Sequence, residues 1–416
     1  MTVVINKIPE SRQYWIVRAG ENASFFNHFR TNGVIALGHA DISLDVSAII
    51  HNPQELVASG ELRRSVIDQS FLFDNFPVNS NTIKDEIINM HRAALSINGD
   101  AAHKIGNINA QVKDYVRLIS PNDIVITVNK NSVMAGRVIS DLYISDNPIV
   151  YRSGDIETAC EYKLRYNVIW SRAYSRRRIP YVLERALKNT RAVSKLNDED
   201  TIKILNHWLS PIHEMGDKVC FSVEIGSTNN ISNSHLSSVS RSLDVLEALS
   251  IYIDSRRIDE SQSINVEDFY TFLQQRQYNS WGALSLTSQH AFMSPGFQFF
   301  QLDGSETKKA LYALIFSASF GANVSYADDR TPIALSDAEQ ALVNQVMERN
   351  DIELGFLEAK ESLVMSLTRS NDSIVVDSDV VETDSPRSNR TSNGGDGGDG
   401  GDDGFGRTII DDETML

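Results

Sequence analysis

A chain of 416 residues, 41% apolar and 23% charged, is long enough for two or three domains and apolar enough to bury their cores. No apolar run reaches the about 20 residues of a membrane span. The longest candidate, 310–324, is broken by Ser317, Ser319 and Gly321. Two cysteines, Cys160 and Cys220, are too few for a disulfide framework or a four-cysteine zinc site. The first residues lack the basic-then-apolar layout of a secretion signal, so the expectation is a cytoplasmic protein.

The net charge of −16 is unevenly spread. Residues 151–195 carry 11 Lys and Arg against 4 Asp and Glu, whereas 196–370 carry 12 against 24 and 371–416 carry 3 against 12. The first 195 residues are net +5 inside an anionic chain. Such a segment can sit on phosphates, because salt limits the reach of distant acidic groups to about 8–10 Å. The same arginines would also suit a solvated helix face.

In chain order, Tyr14–Ala19 is aromatic and β-branched and reads as a strand, followed by a turn at Gly20–Asn22. Val34–Gly38 is a second short strand. Residues 83–119 have helical spacing with a gap near Asn98 and Gly99. Ile124–Val128 and Val133–Ile139 form a hairpin, and Tyr166–Trp170 is a further strand. Short strands with intervening helices imply a compact α+β, barrel-like domain over 1–195. The character changes near 196–200. Lys218–Ile225 alternates as a strand, and 235–253 places Leu236, Val239, Leu243, Leu246, Leu249 and Ile253 on one helical stripe. Gln298–Leu302 reads as a strand, and Ser336 with Glu339 has the form of a capping box before a helix. We read 196–370 as a second α+β domain. Residues 371–416 hold a glycine- and aspartate-rich run and are expected to be a disordered acidic tail, with 405–416 regaining some apolar residues.

The order of pieces in 1–195 resembles the N-terminal recognition domain of Mrr-type restriction endonucleases, a relative of the EVE and PUA-like β-barrels. The matching pieces are Trp15–Gly20 with Arg18, Phe25–Phe29, and Val34–Gly38 followed by His39. Then come Asn122–Thr127, Ala135–Ile139, Tyr143, Tyr166–Trp170, the basic run Arg176–Pro180 and Asn189–Val193. The family usually has tryptophan where this chain has His39. The resemblance implies a PUA/EVE-like mixed barrel that binds nucleic acid, DNA rather than RNA, and holds an extruded or modified base in an aromatic-lined pocket. It implies Trp15, His39, Tyr143 and Trp170 as walls, with Arg18 as hydrogen-bond donor. Arg172, Arg176, Arg177, Arg178, Lys188 and Arg191 would contact phosphates. Strand tryptophans also suit a core, which is the plainer role for Trp15 and Trp170.

The second part shows no phosphate loop, zinc helix or nucleophile elbow. Its one carboxylate–lysine cluster is Glu358 and Lys360, with Asp351 upstream, on a segment that reads as helix. Cys220 reads as a packed thiol. The expectation is a DNA-binding component of bacterial defence against foreign DNA, without metal or cofactor, whose acidic 196–370 domain recruits a protein partner or self-associates. The stripe at 235–253 would serve there either as contact or as core. One alternative is a modification-dependent, Mg²⁺-dependent endonuclease with a diverged catalytic domain in 196–370. The other is a structural or regulatory protein without catalysis.

Overall fold

The computed structural model describes residues 2–38, 76–97, 99, 101–258, 263–279, 284–291, 296–328 and 330–367. It is α+β, with two mixed sheets in one packed unit. None of its described helices is long and apolar enough to cross a membrane. The expected disordered tail and its terminal apolar peptide lie outside the described residues, as does His39.

The first strand, β1 (Thr2–Ile8), precedes β2 (Tyr14–Val17), α1 (Phe26–Asn32), β3 (Val34–Leu37) and β4 (Phe76–Pro77). Helices α2 (Asn81–Ile97) and α3 (Ala102–Leu118) follow, separated at Gly99, whose φ of 74° only glycine adopts freely. Then come β5 (Ile124–Val128), β6 (Ser132–Val138), β7 (Tyr143–Ile144), β8 (Ile149–Ser153), β9 (Ile156–Cys160), β10 (Leu164–Trp170), β11 (Tyr174–Ser175), α4 (Tyr181–Ala186) and β12 (Val193–Lys195). The hairpin between β5 and β6 closes because the Asn129 side-chain oxygen accepts the N–H groups of Asn131 and Ser132, at 2.9 and 2.7 Å.

These strands, apart from β1 and the separate β8–β9 hairpin, form one sheet that curls as a half-barrel. The curl centres on β10, which pairs with β6 through Val168–Trp170 and with β3 through Leu164–Asn167. Gly136 permits it: a Cβ there would lie 2.3 Å from Val168 and 2.6 Å from Trp170. The concave face buries Val17, Val125, Met134 and Tyr166 in one core with Phe29 of α1, Ile83 and Ile87 of α2 and Tyr115 of α3. Both tyrosine hydroxyls donate to backbone carbonyls, Tyr115 to Ile35 at 3.1 Å and Tyr166 to Tyr115 at 2.8 Å.

The second sheet runs β15-β16-β14-β13-β1-β17, with β18 beside β14. Its elements are α5 (Glu199–Leu209), β13 (Ile212–Met215), β14 (Lys218–Ile225), α6 (Asn233–Ile258), α7 (Val266–Asn279), β15 (Thr287–Ala291), β16 (Gly296–Leu302), α8 (Glu306–Ser319), β17 (Asn323–Tyr326), α9 (Asp337–Leu354), α10 (Phe356–Ser362) and β18 (Met365–Leu367). Here the domain boundary differs from expectation. Strand β1 lies between β13 and β17, parallel to both, so Thr2–Ile8 belongs to the second sheet and the chain then crosses to the half-barrel.

Alternation divides the second sheet's side chains between two cores. Val219, Phe221, Val223, Phe300 and Leu302 face α6 and α8. Phe297 and Phe299 turn the other way, against α5 and the convex face of the half-barrel at Tyr14, Ile16 and Ile126. The apolar stripe of α6 is core: Val239, Leu243, Leu246, Leu249 and Ile253 are all buried, so that stripe offers no contact surface. The capping box at Ser336 and Glu339 forms as expected.

Helix α6 also carries Asp244, whose carboxyl is pushed up to about 6 by burial and by the neighbouring Glu247 charge. Since the folded value lies above the ordinary 3.8, its favourable contribution is complete below that value and is lost as pH rises through about 6. Asp244→Asn is therefore expected to raise the urea midpoint at pH 8, with the gain vanishing near pH 4. Equal midpoints at both pH values would contradict this.

Candidate nucleic-acid interface

Strands β2 and β5 run parallel, so their C-terminal ends lie side by side. Beyond them the chain turns at Gly20–Ala23 and at Asn129–Asn131, and these turns wall a cavity of about 850 Å³. That volume falls within the roughly 300–1,000 Å³ of small-molecule sites. Its lining includes the cations Arg18, Lys130 and Arg176, the carboxylate of Glu21, the amides of Asn22 and Asn129, and the ring of Tyr162. The Gly20 turn holds Asn22 and Ala23 at φ of 52° and 58°. A left-handed alanine costs about 1–2 kcal/mol, so the surrounding contacts must fix this wall.

Arg18 is anchored by one end. Its Nη2 donates to the carbonyls of Leu187 and Asn189, which joins the β2 terminus to the loop after α4. Its Nε has no partner among the described residues. Burial and the Arg176 guanidinium lower its pKa, with Glu184 opposing. Arg176 stands nearby with Nε and Nη2 on the two Glu184 oxygens and Nη1 on the Asn129 carbonyl at 3.1 Å. Tyr162 supplies the aromatic wall, edge-on to Phe25 with ring centroids 5.1 Å apart. Gly38 makes room for it, because a Cβ there would lie 2.1 Å from the Tyr162 ring.

The expected base pocket is thus only partly assembled from the expected residues. Trp15 is a correction: it is 0% exposed within the core, and its indole N–H donates to Asp123 at 3.1 Å. The first β-strand of the half-barrel points this ring inward, so it cannot be a cage wall. Trp170 is half-buried, donates to the Phe29 carbonyl at 3.0 Å and packs on the same core. Tyr143 faces a different and smaller cavity, about 270 Å³, where its hydroxyl donates to Asn167 at 2.8 Å. Of the five, the described residues place only Arg18 on the large cavity; His39 follows the lining residue Gly38 but is not described.

Among the expected phosphate contacts, Arg176 lines the cavity, although Glu184 neutralises it. Arg172, Arg177, Lys188 and Arg191 are exposed, and Arg191 lies between the lining residues Thr190 and Ala192. Arg172 also stacks over Tyr174, 4.7 Å from the ring centre. Arg178 belongs to the short turn Arg176–Arg178. Sequence reasoning missed Tyr162, Lys130 and Asn22. The polar turns after β2 and β5 were the available signal, since parallel strands bring those turns together.

The carboxylate–lysine cluster of the second part is held by local structure. Asp351 accepts the N–H of Leu357 at 3.0 Å. Lys360 donates to the Ser319 carbonyl at 3.0 Å and lies over the Phe320 and Phe356 rings. Glu358 is exposed on α10, a seven-residue helix. Among the described residues, Asp351 and Glu358 belong to no group of three ligand atoms close enough to share an ion. Comparison of the chain with protein-family models, with curated proteins and with solved structures finds no match.

Proposed function

We propose that the half-barrel is a PUA/EVE-like nucleic-acid reader that takes an extruded base, including a modified one, into the 850 Å³ cavity. The preferred ligand is DNA, in the setting of defence against foreign DNA that the resemblance implies. One observation carries the reading: Arg18 and Tyr162 share an open cavity beside the exposed cations Lys130 and Arg191. Extruding a base costs a few kcal/mol. Stacking on one ring returns about 1–3 kcal/mol, so hydrogen bonds from Arg18 and the Asn22 and Asn129 amides must offset the rest. Rim cations would supply sequence-independent affinity through counterion release. The second sheet's acidic surface, net −12 over 196–370, favours a basic or protein partner, or self-association, over nucleic acid.

The test is fluorescence anisotropy of labelled plain and modified oligonucleotides across a salt series. Wild type is expected to lose affinity steeply with salt. Reversing Lys130, Lys188 and Arg191 to Glu should weaken binding to all sequences alike and flatten the log–log salt slope by roughly 3, at about 0.9 per phosphate contact. Absent or salt-insensitive binding by wild type would overturn the reading.

A further inference from the structure

The face of the second sheet turned toward α5 carries a cluster that the proposed reader does not use. Alternation places His213 of β13 and Cys220 of β14 on that face, directly opposite each other in register. The last turn of α5 brings His207 over them. One nitrogen from each ring and the Cys220 sulfur lie within 4.8 Å of one another. All three residues are 0% exposed.

Two features separate this cluster from ordinary packing. First, the Nδ1 of His213 lies 3.3 Å from the Ser210 carbonyl, which can only accept, so Nδ1 carries the proton and Nε2 is a bare lone pair. The Nδ1 of His207 lies 2.9 Å from the Ser222 hydroxyl, which can accept in the same way. Second, the Nε2 atoms of both histidines are buried with no partner among the described residues. A buried polar atom left unpaired is costly, and here two lie in one cluster. Histidines that ligate a metal through one nitrogen and donate from the other to a carbonyl or hydroxyl show this same arrangement.

We propose that His207, His213 and Cys220 bind a thiophilic transition-metal ion, zinc or cuprous copper, as a staple between α5 and the second sheet. Imidazole and thiolate ligands select such ions over Mg²⁺ or Ca²⁺. In an N₂S shell with bonds of about 2.0–2.3 Å, ligand atoms stand roughly 3.3–3.8 Å apart, so side chains must close by about 1.5 Å at most. Gln301, whose amide nitrogen donates to the Cys220 sulfur at 3.8 Å, stands beside the cluster. With its Nδ1 donating to the Ser210 carbonyl, His213 can ligate through Nε2 as a neutral ring and need lose no proton. Cys220 would ligate as the thiolate, so loading the site releases one proton from sulfur.

The experiment loads chelator-treated full-length protein separately with Zn²⁺, Cu⁺, Co²⁺ and Mg²⁺. Bound metal is counted by mass spectrometry, the cobalt form is read by absorption, and thermal unfolding is followed. The expected result is one equivalent of zinc or copper, a sulfur-to-cobalt charge-transfer band, and a higher Tm with Zn²⁺ or Cu⁺ but not with Mg²⁺. The copper and zinc arms decide which ion binds more tightly. Cys220→Ala should abolish the band and the Tm rise. No bound equivalent and no band in folded wild type would overturn the site, as would equal loading of Cys220→Ala. If that variant fails to fold, Cys160→Ser decides: a band retained in it assigns the thiolate to Cys220, and a band lost with it overturns the site.

Discussion

Glu247→Ala is expected to destabilise the protein by about 3–5 kcal/mol, the usual result of removing one partner from a buried ion pair. Glu247 lies in α6 at 0% exposure. Its Oε1 accepts from the Lys308 ammonium at 2.7 Å, the Ser285 N–H at 2.7 Å and the Ser285 hydroxyl at 3.0 Å. Its Oε2 accepts the Leu286 N–H at 3.0 Å. One carboxylate thus joins α6, α8 and the segment entering β15. Without it, Lys308 keeps, among the described residues, the Ser285 hydroxyl and the Asp303 carbonyl, and two backbone donors lose their acceptor. The double variant Glu247→Leu with Lys308→Met removes both charges together and should cost much less than the single one. Urea unfolding of the set checks this. Equal losses in the single and double variants would show that charge pairing is not what the cluster contributes.

Trp15→Ala carries the second large effect, a loss of about 3–5 kcal/mol. The indole fills the centre of the half-barrel and donates to Asp123. Asp123 in turn accepts the N–H groups of Gln13 and Ser120, both at 3.0 Å, and so ties β2 to the start of β5. Burial pushes the Asp123 carboxyl up, and these three hydrogen bonds oppose that shift. Trp15→Phe keeps much of the volume but leaves one carboxylate oxygen with a single donor, so an intermediate loss is expected. Neither variant should change base preference per folded molecule. A Trp15→Phe protein of wild-type stability with altered base preference would restore the aromatic-cage role that its burial rules out.

The difference between these two tryptophan roles shows where a sequence stops being informative. Strand periodicity located β2, β5, β6 and β10 well, because alternation and turn residues are local properties. Which face of β2 turns inward depends on the partner across the sheet, and Tyr14 and Trp15 are both aromatic. Tyr14 went to the convex face, where its hydroxyl donates to Asn206 at 2.7 Å, and Trp15 to the concave one. Strand β1 was missed as part of the second sheet because its parallel partners lie more than 200 residues away. Arg18 was legible because it follows the first strand of the half-barrel directly. Tyr162 was not, since it reaches the cavity only through the curl of β10. His207, His213 and Cys220 have no metal-site spacing along the chain, and strand register brings them together.

The central claim is that the cavity beside Arg18 holds a base against Tyr162. It is tested most directly by titrating one modified-base oligonucleotide against wild type and Tyr162→Ala at fixed salt, with folding of both checked by circular dichroism. Loss of a stacking face worth about 1–3 kcal/mol predicts roughly 5- to 150-fold weaker binding at an unchanged salt slope. Equal affinity of the two folded proteins would contradict the account.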